Sequence, residues 1–114
     1  MKRLTLLVLA TLLSGAAVSL HAADAASVER GNVVFQHWCS ACHSGGKSRA
    51  GTMALAAKYS GNVPAELEKR TDLTPELIHF MLRNGVSIMP FFRKTEITPG
   101  DESDLIAYLT RNHP

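Results

Sequence analysis

The chain has almost no net charge. Twelve Lys and Arg stand against ten Asp and Glu, a formal +2 with histidine neutral. Lys2, Arg3 and Asp24 fall in the first 25 residues, so the remainder is closer still to neutral. Such a balance offers no basic field for nucleic acid and no polybasic run for a lipid surface. The chain also lacks internal repeats, low-complexity tracts and strand-like alternation of apolar and polar residues. Its cysteines number only two, too few for a disulfide-rich framework. At 114 residues it has room for one domain, and a core that small often needs a covalent or cofactor staple.

What is present begins with a leader. Met1, Lys2 and Arg3 make a basic start, Leu4 to Leu20 is uncharged and apolar, and His21 to Ala26 is rich in small residues. That order is a secretory signal peptide. A membrane anchor is the rival reading, but the apolar run sits at the short edge of the about 17–25 residues that span a bilayer. No stop-transfer charge cluster follows it. Residues 1–25 are therefore expected to be cleaved, with the cut between Ala22 and Ala25 and Ala23-Asp24-Ala25 as the A-x-A site. Residues 26–114 form the expected domain, periplasmic and without a stable membrane anchor.

The two cysteines lie in Cys39-Ser40-Ala41-Cys42-His43. A disulfide there would close a very small loop and contribute little chain entropy. A thioredoxin-like pair needs a βαβ context, which the pattern does not offer. Zinc needs a second ligand pair, and His37, His79 and His113 are scattered without the usual spacing. The remaining reading is covalent haem attachment, for which C-x-x-C-H is the signature. Two thiols must reach two vinyl groups on one side of a porphyrin, and the next residue must place an imidazole under the iron. A tight helical turn does both.

The pattern along the chain is all-α. Ser27 to Trp38 reads as a helix with Ser27 as N-cap, Glu29 in its first turn, and Val28, Val34, Phe35 and Trp38 on an apolar face beside Gly31. Ser44 to Gly51 reads as a loop, Met53 to Tyr59 as two helical turns, and Ala65 to Arg70 as another turn. Thr74 to Asn84 is the clearest helix, with Thr74 as N-cap, Pro75 at N1 and Asn84-Gly85 at its end. Leu77, Ile78, Met81 and Leu82 form its apolar stripe. Val86 to Thr95 reads as an ordered loop. Thr98-Pro99 opens a last helix with Asp101, Glu102 and Asp104 in its first turns and Leu105, Ile106, Tyr108 and Leu109 on its buried side.

Haem iron takes two axial ligands, of which His43 would be one. Met53 and Met81 sit on helical apolar faces and read as core packing. Met89 stands in a loop, and Pro90 biases it toward extended geometry. Met89 is therefore expected as the second ligand, in a loop held rigid by Pro90, Phe91 and Phe92.

With these residues in place, the chain resembles a class I cytochrome c. The C-x-x-C-H motif and the R-N-G-x-x-x-M-P string from Arg83 to Pro90 match that family's haem-binding pattern. Gly31, Phe35 and Tyr108 match its crossing of N- and C-terminal helices. The likeness runs from Val28 to Leu109. It implies one covalent haem c on Cys39 and Cys42, axial ligation by His43 and Met89, and no catalysis. The Arg83 to Pro90 stretch is also similar to the cytochrome subunit of p-cresol methylhydroxylase and related flavocytochromes, in which a flavin subunit oxidises a substituted phenol and passes on the electrons. One departure stands out: class I members usually carry a proline after the attachment motif whose carbonyl accepts from the proximal histidine Nδ1–H. No proline lies between His43 and Val63. A backbone carbonyl near Ala50 to Thr52 is expected in its place.

Two protein ligands close the iron to substrates, which favours outer-sphere electron transfer over O₂ or peroxide chemistry. The expected partners are a flavin or quinone dehydrogenase as donor and another cytochrome or a terminal oxidase as acceptor. Lys47, Arg49, Lys58, Arg93 and Lys94 read either as ordinary solvated surface or as a docking rim. Two rivals remain: a small haem peroxidase or gas-binding protein with a labile sixth ligand, which a ferric spectrum distinguishes, and a haem-free binding module, which the mass of the mature protein distinguishes.

Overall fold

A computed structural model describes residues 18–114, with side chains from Ala25 onward. The leader expected over residues 1–25 falls almost wholly outside the described side chains. Among the described residues five helices follow one another: α1 (Val18–Trp38), α2 (Ser40–His43), α3 (Ala50–Tyr59), α4 (Pro75–Asn84) and α5 (Pro99–Thr110). A single 3₁₀ turn, Leu67–Lys69, lies between α3 and α4. Among the described residues the one β pairing is an isolated bridge between Val86 and Met89. The class is all-α, as the periodicity indicates. No described helix is long and apolar enough to cross a membrane.

The caps of α4 and α5 follow from local chemistry. The Thr74 hydroxyl accepts from the Leu77 N–H at 3.2 Å, and Pro75 opens α4 where no amide donor is needed. Gly85 ends α4 at φ +67°, a backbone region that costs glycine nothing. At α5 the Thr98 hydroxyl accepts from the Asp101 N–H at 3.2 Å, and the Asp101 carboxylate accepts from the Thr98 N–H at 3.1 Å. This reciprocal box satisfies two of the helix's free donors.

α1 departs from expectation at its start. Ser27 is not an N-cap but an interior residue of α1, which is described from Val18 onward. Alanines at 22, 23, 25 and 26 are strong helix formers and give the backbone no reason to break before Ser27. The Ser27 hydroxyl instead donates to Asp104 on α5. Arg30 forks onto the same carboxylate at 2.6 and 2.9 Å.

α1 packs mainly against α5, at Gly31. A Cβ there would overlap the Asp104 carbonyl oxygen and lie 2.7 Å from Tyr108 Cβ. Phe35, one turn on, meets the Tyr108 ring at 5.6 Å between centroids. Around this crossing lies the core of Phe35, Leu73, Ile78, Leu82, Ile97, Leu105, Tyr108 and Leu109. The stripe expected on α4 is split: Ile78 and Leu82 are buried, while Leu77 is partly exposed and Met81 half-buried. Ile106 of α5 is likewise only half-buried.

Candidate functional site

α2 is the single turn that the C-x-x-C-H motif demands. The amides of Cys42 and His43 both donate to the Cys39 carbonyl, at 3.0 and 2.9 Å, so the three side chains leave one tight backbone loop. The Cys39 amide donates to Phe35 O at 2.9 Å, which ties the turn to the end of α1. Both thiols are free. Burial, reinforced by the neighbouring Cys42, pushes the Cys39 thiol up to about 12. A thiol in that state is a poor redox nucleophile, unlike the depressed thiols of disulfide exchangers. Among the described residues no group of three or more His, Cys, Asp or Glu could hold a metal ion.

His43 is half-buried, and burial lowers its pKa from the ordinary value, which favours the neutral imidazole that a metal requires. Its Nδ1 is buried and has no hydrogen-bond partner. The carbonyl acceptor expected from Ala50 to Thr52 is therefore not in place. That segment is instead the first turn of α3, and a helix directs its carbonyls along its own axis toward its later amides. What it presents to the ring is Gly51. A Cβ there would lie 2.6 Å from His43 Cε1 and 2.8 Å from Nδ1. The Thr52 hydroxyl meets the carbonyl oxygens of Ser44 and Cys42 at 2.9 and 3.3 Å.

Met89 stands on a separate segment, half-buried. Its amide donates to Val86 O at 2.9 Å, and its carbonyl accepts from Val86 N at 3.1 Å. Ser87, at φ +54°, and Ile88 form the tip of this turn. Gly85 is required beneath it, because a Cβ there would lie 2.6 Å from Met89 O and 2.9 Å from Phe91 N. The loop is tied further by the Phe92 amide, which donates to Leu82 O at 2.7 Å.

The main clamp on this loop is a residue whose role the pattern alone does not disclose. Arg83 donates to Phe92 O at 3.0 Å, to Ile97 O at 3.1 Å and to the Glu102 carboxylate. Glu102 is buried, and its other oxygen lies 2.5 Å from His79 Nδ1. Burial alone would raise the Glu102 carboxyl; the bonds from Arg83 and His79 more than reverse this and hold it below the ordinary value. The rigidity expected from Phe91 and Phe92 is only half realised. Phe91 is 58% exposed, whereas Phe92 meets the edge of Trp38 at 5.7 Å. That contact joins the Met89 segment to the C-x-x-C-H turn, since Trp38 directly precedes Cys39.

Met53 does not pack in the core: it is 59% exposed on α3. Lys47, Arg49, Lys58, Arg93 and Lys94 are all exposed. The donor set fits a covalently held haem: two free thiols and an imidazole on one turn, with the buried imidazole Nδ1 turned into the protein.

Residues 26–109 match the family model described as cytochrome C oxidase, cbb3-type, subunit III. A cytochrome c6 of Gloeothece citriformis (strain PCC 7424) is 36% identical over 87 residues, covering 76% of this chain and 73% of that protein. No solved structure matches the chain.

Proposed function

The chain belongs to the cytochrome c family, and on that premise we propose that Cys39 and Cys42 hold its haem c by thioether bonds, that His43 and Met89 ligate the iron, and that the electrons come from a periplasmic dehydrogenase. Membership makes the protein a mono-haem electron carrier, not an enzyme. When bound, the haem supplies one reversible ferric–ferrous couple; the protein supplies ligands, burial and docking. The observation that carries the reading is the attachment turn: both thiols are free and one backbone carbonyl gathers Cys42 and His43.

His43 offers a neutral imidazole. Met89 offers a soft, neutral thioether, which favours ferrous iron and a potential above that of bis-histidine ligation. The clamp of Arg83 and the tight turn at Gly85 hold the backbone that carries Met89, so the sulfur has little freedom to leave. A closed coordination sphere suits electron transfer better than peroxide or gas chemistry. The Arg83 to Pro90 likeness to flavocytochrome subunits supports a flavin dehydrogenase as donor, with a quinone dehydrogenase the other choice. The name of the matching family, an oxidase subunit, supports a terminal oxidase or a second cytochrome as acceptor. Lys47, Arg49, Lys58, Arg93 and Lys94 are exposed, and we read them as a docking rim that would steer an acidic partner.

The test has two parts. The exported protein is expected to exceed its polypeptide mass by one haem, and that haem is expected to survive acid–acetone extraction; extractable haem would end the attachment proposal. Ferric protein is expected to show the weak sulfur-to-iron charge-transfer band toward the red. Met89→Ala should abolish it, lower the potential and admit carbon monoxide. A wild type that lacks the band and binds carbon monoxide readily would remove Met89 and bring the labile-ligand readings forward.

A further inference from the structure

We infer that the first turn of α3 sets the orientation of the His43 imidazole by direct contact and by anchoring its backbone, with Gly51 and Thr52 as the positioning residues, and without a hydrogen bond to Nδ1. The inference rests on the reading of His43 as an iron ligand. Three observations carry it. The buried Nδ1 has no hydrogen-bond partner. The α-carbon of Gly51 faces the ring so closely that a methyl group there would lie within 2.6 Å of Cε1, 2.8 Å of Nδ1 and 2.9 Å of the Cys42 carbonyl oxygen. The Thr52 hydroxyl, itself buried, reaches the carbonyl oxygens of Cys42 and Ser44, the residues on either side of His43.

A hydroxyl has one proton. It donates to the Ser44 carbonyl at 2.9 Å in the shorter contact and leaves the Cys42 carbonyl at 3.3 Å as a weaker second acceptor. Gly51 and Thr52 thus act together. Thr52 fixes the backbone from which the imidazole projects, and Gly51 lets α3 close over the ring edge where any side chain would push it away. A metal-bound imidazole ordinarily gains both orientation and basicity from an acceptor at its second nitrogen. Here contact supplies the orientation, and the gain in basicity is forgone. A less basic imidazole supports ferric iron less, so the potential is expected above that of a protein with the same ligands and an Nδ1 acceptor.

The experiment uses the exported holoprotein. Proton NMR of the ferric form reports the plane of the axial imidazole through the order and spread of the haem methyl shifts. Gly51→Ala is expected to change that order and to lower the melting temperature, although alanine is the better helix former and on propensity alone would raise it. Thr52→Val is expected to change the methyl spread, and Thr52→Ser, which keeps the hydroxyl, to restore it. Should Gly51→Ala not accumulate, the threonine pair carries the test. An unchanged methyl pattern in Gly51→Ala or in Thr52→Val would overturn the inference. So would a wild-type His43 Nδ1 proton with the downfield shift of a strong hydrogen bond. Haem content, read by pyridine haemochrome, separates the two readings: wild type without covalent haem would sink the proposed function itself, whereas wild type with haem and altered variants supports the positioning role.

Discussion

At Arg83 three stretches of chain are joined: the end of α4, the segment from Phe92 to Ile97, and α5 at Glu102. Its side chain is 13% exposed and that of Glu102 10%, so the pair is largely removed from water. Breaking a buried pair from one side costs about 3–5 kcal/mol where the remaining charge is left alone; here Glu102 keeps His79 as a partner, which softens that cost. Arg83→Ala is therefore expected to lower the melting temperature sharply and to weaken the red charge-transfer band, since the loop carrying Met89 loses its ties at Phe92 and Ile97. Arg83→Lys should recover little, because an ammonium cannot reproduce the guanidinium fork; thermal melts and ferric spectra check both. The Glu102 carboxyl also gives the fold a pH dependence. Its folded pKa lies below the ordinary value despite burial, through Arg83 and His79. The stability it contributes is complete above the unfolded value of about 4.3 and is lost as pH falls through the lower folded value. Glu102→Gln should flatten that acid limb of the melting-temperature profile; a limb as steep as in wild type would mean that other carboxylates set it. Residue spacing did not disclose this pair. Glu102 reads only as one of three acidic residues in the first turns of α5, and its burial becomes visible only when α4 lies beside it.

The helices were legible in proportion to how local their signals are. Thr74-Pro75 and Thr98-Pro99 mark the starts of α4 and α5 because a cap is a contact across three residues. The capping box at Thr98 is testable on that basis: Thr98→Ala removes the acceptor for the Asp101 amide and should cost about 1 kcal/mol. In a domain of this size that lowers the melting temperature by roughly 4–8 °C. The crossing of α1 and α5 was legible from Gly31, Phe35 and Tyr108, and the packing at Gly31 makes it severe. Any Cβ there meets the Asp104 carbonyl and Tyr108 Cβ, both held by helix backbone. Gly31→Leu is expected to force the helices apart at a cost of at least the roughly 1–3 kcal/mol of ordinary overpacking. An unchanged melt would mean that the crossing lies elsewhere. The start of α1 misled for the opposite reason. Serine is a good cap, but whether it caps depends on what precedes it, and here Ser27 has Asp104 on another helix as its partner.

At the scale of the whole fold, the apolar side chains of the described residues do not close a core by themselves. The hydrophobic core of the described residues consists of eight side chains, and as many large apolar ones stand exposed, among them Trp38, Met53, Phe80, Ile88 and Phe91. Each exposed one forgoes much of the roughly 1.5–3 kcal/mol that full burial contributes. A domain this small has little margin without a further apolar body. The double variant Cys39→Ala, Cys42→Ala, which cannot hold haem covalently, is therefore expected to be unfolded or short-lived after export. Far-UV circular dichroism checks this, and a cooperatively melting apoprotein would count against it. A second expectation at this scale concerns the exposed cations. If Lys47, Arg49, Lys58, Arg93 and Lys94 form a docking rim, reduction by the donor should slow as ionic strength rises, because screening shortens the reach of the rim to about 8 Å at physiological salt. Rates independent of salt would assign those residues to ordinary solvated surface.

By itself the sequence determined the helical class, the caps of α4 and α5 and the C-x-x-C-H turn. Each is a short-range relation: a threonine three residues from an amide, apolar residues at helical spacing, two thiols and an imidazole within five positions. Spacing along the chain is enough to express such relations. Only the tertiary structure decided the rest. It placed Gly51 and Thr52 on His43 where a carbonyl was expected, gave Arg83 its hold on Phe92, Ile97 and Glu102, left Met53 outside the core, and joined Trp38 to Phe92. These are contacts between elements, and their energies depend on which faces meet. A helix encodes its own capping and amphipathic pattern locally, but the side chain that another helix lays against it is set by how both pack.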